Sequence, residues 1–173
     1  MPRFMAAGQK LSGAEHGTLV HHVLALMPLD ALRRGSIAEG VLAGIEQLKQ
    51  RGCLTDEEAS NLRPNMLLGF YQSDIGRRML ESSIIRREWS FTVPVRDTGT
   101  LMQGVIDCAF REENAWILVD YKTDHIYDEA EFVARYEKQL ALYADAVARI
   151  TGLPVREQYL YALSVGKSFQ VNQ

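Results

Sequence analysis

The sequence predicts a mixed α/β domain, with helices in its first half and a sheet formed mainly in its second. Apolar residues recur at helical spacing up to about Glu81, and β-branched and aromatic residues dominate from Ile84 to Thr123. A long helical segment then separates that region from a further strand-like run, Val155 to Val165.

Each element has its own signal. Ser12-Gly13-Ala14-Glu15 fits a capping box and opens a helix carrying Leu19, Val20, Val23, Leu24 and Met27 before Pro28 stops it. Ser36-Ile37-Ala38-Glu39 repeats the pattern ahead of Val41, Leu42, Ile45 and Leu48, and Gly52 ends that helix. Thr55-Asp56-Glu57-Glu58 opens short helical pieces that run to about Glu81. Ile84 to Val95, Thr100 to Phe110 and Ala115 to Thr123 read as three antiparallel strands, with turns at Asp97-Thr98-Gly99 and Glu112-Glu113-Asn114. Asp128 can cap a long helix to about Ile150, which Gly152-Leu153-Pro154 breaks, and one or two more strands follow. This gives a single domain over 1–173, helical over about 12–82 and α/β over about 84–173, with no internal repeat or linker.

Bulk properties narrow the classes. A chain of 173 residues, 47% hydrophobic and 24% charged, has ordinary globular values and is long enough to bury a core. No apolar run approaches the ~20 residues that cross a bilayer, and Met1 to Lys10 lack the apolar stretch of a signal peptide. A soluble, cytoplasmic protein is expected. Cys53 and Cys108 are too few and wrongly spaced for a zinc or iron–sulfur centre, and reduced thiols are expected. The net charge of −3 does not suggest a protein that coats DNA, although bound cations can offset carboxylates gathered in a site. The pairs Arg33-Arg34, Arg77-Arg78 and Arg86-Arg87 each read as solvated edges.

Three charged residues stand out in apolar surroundings. Asp107 lies in Gly104-Val105-Ile106-Asp107-Cys108-Ala109-Phe110, and Asp120 and Lys122 lie in Trp116-Ile117-Leu118-Val119-Asp120-Tyr121-Lys122. Buried charges are costly unless paired or bound to metal. Strand alternation puts Asp120 and Lys122 on one face, and a turn centred on Glu113-Asn114 sets Asp107 opposite Asp120. A one-residue slip would turn Asp107 to the far face. Two carboxylates and an ammonium suit phosphodiester hydrolysis with a hard divalent cation, which prefers carboxylate oxygens and activates a bound water. The competing reading is an Asp–Lys salt bridge between strands with no chemistry attached.

At these residues the sequence resembles the PD-(D/E)xK nucleases. The resemblance is to the RecB-like branch at the C-terminus of bacterial helicase–nucleases, and within it to the AddA family. Gly17-Thr18-Leu19-Val20-His21 is similar to that branch's GTxxH helix, Arg87-Glu88-Trp89-Ser90-Phe91 to its REvPF strand, and Gln103-Gly104-Val105-Ile106-Asp107 to QGiID. Asp120-Tyr121-Lys122-Thr123-Asp124 matches DYKTD, and Gln139-Leu140-Ala141-Leu142-Tyr143 matches QLxLY. Trp89 and Ser90 depart from the usual small residue and proline. The resemblance implies a restriction-endonuclease-like core, a mixed central sheet flanked by helices with an N-terminal helical region. It implies metal ligation by His21, Asp107, Asp120 and the backbone carbonyl of Tyr121, Lys122 as the catalytic lysine, and substrate contact by Gln139 and Tyr143. Glu88 is expected to act structurally, Asp124 beside the site or in a turn, and His16, His22 and His125 at the surface.

The resemblance further implies Mg²⁺, with Mn²⁺ able to substitute, and single-stranded DNA or duplex ends as substrate. Expected partners are a helicase portion of the same polypeptide and an AddB-type subunit; no membrane partner is expected. The expected role is an exonuclease domain in double-strand-break repair and recombination, either excised from a longer motor protein or a free-standing small nuclease of the same branch. Gly166-Lys167-Ser168 looks like the end of a phosphate-binding loop, but Tyr161 holds the place of its first glycine, so no ATP site is expected. The alternative function is a catalytically silent DNA-binding or docking module that keeps the fold.

Overall fold

The computed structural model describes residues 11–95 and 100–171, so the expected Asp97-Thr98-Gly99 turn lies outside the described residues. The chain divides into two compact units, Met1–Leu68 and Gly69–Gln173. Among the described residues no helix is long and apolar enough to cross a membrane.

The described residues of the first unit form helices: α1 (Gly13–Leu26), α2 (Leu29–Arg33), α3 (Ile37–Gln50), α4 (Asp56–Asn61) and the beginning of α5 (Pro64–Gln72). Ser12 and Thr55 both complete capping boxes, each side chain accepting from the N–H three residues on while Glu15 or Glu58 reaches back to the cap N–H. These bonds satisfy donors that the first turn leaves open. Ser36 caps α3 through the N–H of Glu39. Leu19, Val20, Val23 and Leu24 form the buried stripe of α1. α2 and α3 approach so closely that a Cβ on Gly40 would lie 2.5 Å from the Ala31 carbonyl oxygen. His22 is exposed, with Nε2 3.2 Å from the Cys53 carbonyl oxygen. His16 differs from the surface position expected. It is half-buried with Nε2 out of solvent, and burial together with the charge of Arg63 lowers its pKa.

The second unit contains the end of α5, then α6 (Asp74–Glu81), β1 (Ile85–Pro94), β2 (Leu101–Glu112), β3 (Ala115–Lys122), α7 (Glu129–Thr151), β4 (Val155–Ala162) and β5 (Lys167–Gln170). Among the described residues five strands form one sheet in the order β1-β2-β3-β4-β5. Neighbours are antiparallel except β3 and β4, which run parallel and are joined through α7. Asp128 caps α7 by accepting the Glu131 N–H at 2.8 Å. Gly152, at φ +71°, ends that helix in the left-handed conformation glycine favours.

β3 is central, and its residues Ala115 to Tyr121 are buried, which accounts for its almost unbroken apolar run. Ala144, Ala146 and Val147 of α7 pack with Ala109, Trp116 and Leu118. Tyr121 meets Phe70 edge-on at 4.9 Å, and Phe70 meets Tyr161 at 5.0 Å. Gly166, at φ +65°, turns the chain from β4 into β5, so the Gly-Lys-Ser run is a hairpin turn followed by strand. Arg78, read from sequence as a solvated edge, instead binds both oxygens of Glu112 at 2.8 and 2.9 Å and Glu157 at 2.8 Å. It ties α6 to the base of the β2–β3 turn and to β4. The hydrogen bonds from Arg78 hold both carboxyls below the usual carboxylate range, and the Tyr159 hydroxyl adds to the effect at Glu157.

Candidate active site

The turn at Glu113-Asn114 fixes the register of the central hairpin. Cys108 pairs with Val119, Ala109 with Leu118 and Glu112 with Ala115. Carried one position further, that register sets Asp107 opposite Asp120, the pairing the turn predicts.

Regular alternation fails just there. Glu88 has φ +48°, a left-handed conformation that residues with side chains seldom adopt. The β1–β2 ladder pairs Arg87 with Cys108 and Trp89 with Ile106 but skips the Glu88–Asp107 position between them. Ile106 and Ala109, three residues apart, consequently share one apolar cluster with α7, although strict alternation would place them on opposite faces. Asp107 sits at this break. Its Oδ2 accepts a hydrogen bond from the backbone N–H of Tyr121 at 2.8 Å. A carboxylate oxygen of Glu88 lies within 4.8 Å of one on Asp107.

Asp120 and Lys122 meet directly, with Nζ 2.6 Å from Oδ2; their side chains are 6% and 16% exposed. Burial opposes the charge on Lys122, but Asp120, with help from Asp107 and Tyr136, outweighs it and raises the lysine above its ordinary pKa. Lys122 therefore stays an ammonium at neutral pH. Its Nζ also stands over the ring of Tyr136, 4.2 Å from the centroid. The Tyr136 hydroxyl donates to Asp124 Oδ2 at 3.0 Å, and the Asp124 backbone oxygen accepts from Ser164 Oγ at 2.8 Å.

Gln139 and Tyr143 share a face of α7, where Gln139 Nε2 donates to the Tyr143 hydroxyl at 2.9 Å. Tyr143 packs edge-on against Phe91 at 5.4 Å, beside Gly104, where a Cβ would lie 2.7 Å from Phe91. Glycine at 104 thus makes room for the two rings. His21 is half-buried on α1, in the first unit, and His125 is exposed. The structure thus brings Asp107, Tyr121, Asp120 and Lys122 together, and joins Gln139 to Tyr143. Tyr136 is absent from the sequence-derived set, although it stands one turn before Gln139 on the same helix.

The donor chemistry fits a hard divalent cation. Asp120, buried, and Asp107, half-buried, offer carboxylate oxygens close to the Lys122 ammonium, the hard donors such a cation prefers.

A mixed sheet with two acidic residues and a lysine across its central hairpin defines the class: the chain belongs to the PD-(D/E)XK nuclease superfamily, whose family model matches residues 3–171. Among curated proteins it is similar to an ATP-dependent helicase/nuclease subunit of Clostridium botulinum (strain Loch Maree / Type A3). Identity is 35% over 99% of this chain and 14% of the relative. The helicase/nuclease subunit of the same name from Alkaliphilus metalliredigens (strain QYMF) is 35% identical over 95% of this chain and 15% of its own length. The chain thus spans about one-seventh of the curated relatives it matches.

Proposed function

We propose that this chain is a Mg²⁺-dependent deoxyribonuclease domain that hydrolyses phosphodiester bonds of single-stranded DNA, working exonucleolytically within a helicase–nuclease. The observation that carries this reading is the seating of Lys122 on Asp120, with Asp107 held to the same strand by the Tyr121 N–H. Names of the relatives support the pairing of nuclease with helicase. On this reading the DNA is fed by a helicase portion of the same polypeptide, with an AddB-type partner beside it, during double-strand-break repair in the bacterial cytoplasm.

Asp107, Asp120, the Tyr121 carbonyl and His21 would hold the cation. Once bound, the cation supplies Lewis-acid polarisation of the phosphate and lowers the pKa of a coordinated water. Lys122, kept protonated, donates hydrogen bonds to the charge that develops on the phosphoryl oxygens as attack proceeds. The Tyr121 N–H holds Asp107 by its Oδ2, which orients the other carboxylate oxygen. Gln139 and Tyr143 present an amide and a phenol to the DNA strand.

The test is cleavage of end-labelled single-stranded DNA with and without Mg²⁺, comparing wild type with Asp120→Asn, Lys122→Ala and His21→Ala. Wild type alone should cut, and only with the metal. Equal cleavage by all the proteins would remove these residues from the site. A chain that binds DNA but never cuts would favour the silent docking module.

A further inference from the structure

We propose that Tyr136 is a positioning residue for Lys122: its ring and the Asp124 hydrogen bond behind it hold the ammonium in place while Asp120 serves as a metal ligand. The inference rests on reading Lys122 as the catalytic lysine. A lysine ammonium is a point charge on a flexible four-carbon stem, so one partner fixes its distance but not its direction. In this structure Lys122 meets partners from two different elements, Asp120 on β3 at 2.6 Å and the Tyr136 ring on α7 at 4.2 Å.

The two partners respond differently when Asp120 ligates a cation. Asp120 then shares its negative charge, and its hold on a neighbouring ammonium weakens. The ring face is a neutral acceptor for which a hard divalent cation does not compete. Asp124 strengthens that face: a phenol donating to a carboxylate becomes more electron-rich, and the donor–acceptor distance here is 3.0 Å. The Ser164 hydroxyl in turn fixes the Asp124 backbone. Tyr136 and Asp124 thus give the lysine a seat independent of its acidic neighbour.

The experiment compares wild type, Tyr136→Phe, Tyr136→Leu and Lys122→Ala by single-turnover cleavage of labelled single-stranded DNA in Mg²⁺. Lysine-labelled NMR of the metal-free proteins is run alongside. In wild type and Tyr136→Phe the Lys122 ε-protons should be shifted upfield by the ring, and Tyr136→Phe, which keeps the ring but loses the bond to Asp124, should cleave at a rate between those of wild type and Tyr136→Leu. Tyr136→Leu should lose the upfield shift and cleave roughly tenfold more slowly, with KM for DNA and Mg²⁺ affinity by calorimetry within about twofold of wild type. A Tyr136→Leu protein that cuts as fast as wild type, or that keeps the shift, overturns the proposal while Lys122→Ala still reports on the nuclease reading. If wild type and Lys122→Ala are equally inert, the catalytic role of Lys122 falls, and this proposal with it.

Discussion

Replacing Lys122 by methionine should separate what the lysine does for stability from what it does for chemistry. The side chain of Asp120 is 6% exposed, and its ion pair with Lys122 measures 2.6 Å. Removing one member of a buried pair leaves a charge without its counter-ion, which typically costs about 3–5 kcal/mol. Lys122 keeps 16% exposure, so some water reaches the carboxylate and the lower figure, about 3 kcal/mol, is expected. The double variant Asp120→Leu/Lys122→Met, with neither charge, should lie within about 1 kcal/mol of wild type, because replacing a buried pair by apolar groups is often close to neutral. Urea titration in metal-free buffer measures all three proteins. On the proposed Mg²⁺-dependent reading the metal supplies a second arm: a cation at about a hundredfold excess over its dissociation constant stabilises the folded state by about 2.7 kcal/mol. Lys122→Met should recover most of its loss, because the cation replaces the missing ammonium as counter-charge. A single variant as stable as wild type, or one that Mg²⁺ leaves unmoved, would refute the reasoning.

Other outcomes follow from the same geometry. Gly40→Ala should destabilise the helical unit by about 1–3 kcal/mol in thermal or urea unfolding, since the new methyl meets a backbone carbonyl that cannot swing away. Arg78→Met should cost about 2 kcal/mol at neutral pH, the range of a hydrogen bond to a charged group. The Glu112 and Glu157 carboxyls titrate below 4.5 when folded, so the stability they contribute is fully present above pH 4.5 and is lost as acid takes pH down through their lowered values. Wild type and Arg78→Met should therefore converge in urea titrations at low pH. Glu88→Val should be less stable than Glu88→Gly by about 1–2 kcal/mol, because a β-branched side chain tolerates the +48° φ poorly whereas glycine does not resist it.

Where a structural rule acts locally, the sequence was a good guide. Ser12 with Glu15, Thr55 with Glu58 and the cap at Asp128 all announce helix starts, because the bonds that make a cap span three residues. Glu113-Asn114 likewise determined the hairpin register, which depends only on where the turn is centred. Long-range geometry was not legible. Nothing in Arg87-Glu88-Trp89 signals a left-handed residue, and the break in alternation beside Asp107 follows from it. Arg78 looks like any solvated arginine until α6 folds against Glu112 and Glu157, which lie far from it in sequence. Tyr136 was hidden for a different reason. It lies at helical spacing from Gln139 and Tyr143, but its importance depends on where Lys122 points, which strand periodicity alone does not specify.

The order in which the central hairpin assembles bears on how the chain tolerates its own acidity. β2 and β3 are consecutive and joined by a tight turn, so their pairing can form on the microsecond scale, long before β4 arrives by way of α7. Closing that hairpin brings Asp107 onto the strand that carries Asp120, and two like charges meeting early would resist it. Lys122 belongs to the same strand as Asp120, two positions along, so its positive charge arrives in the same event. The nascent hairpin thus carries its own counter-ion as it closes.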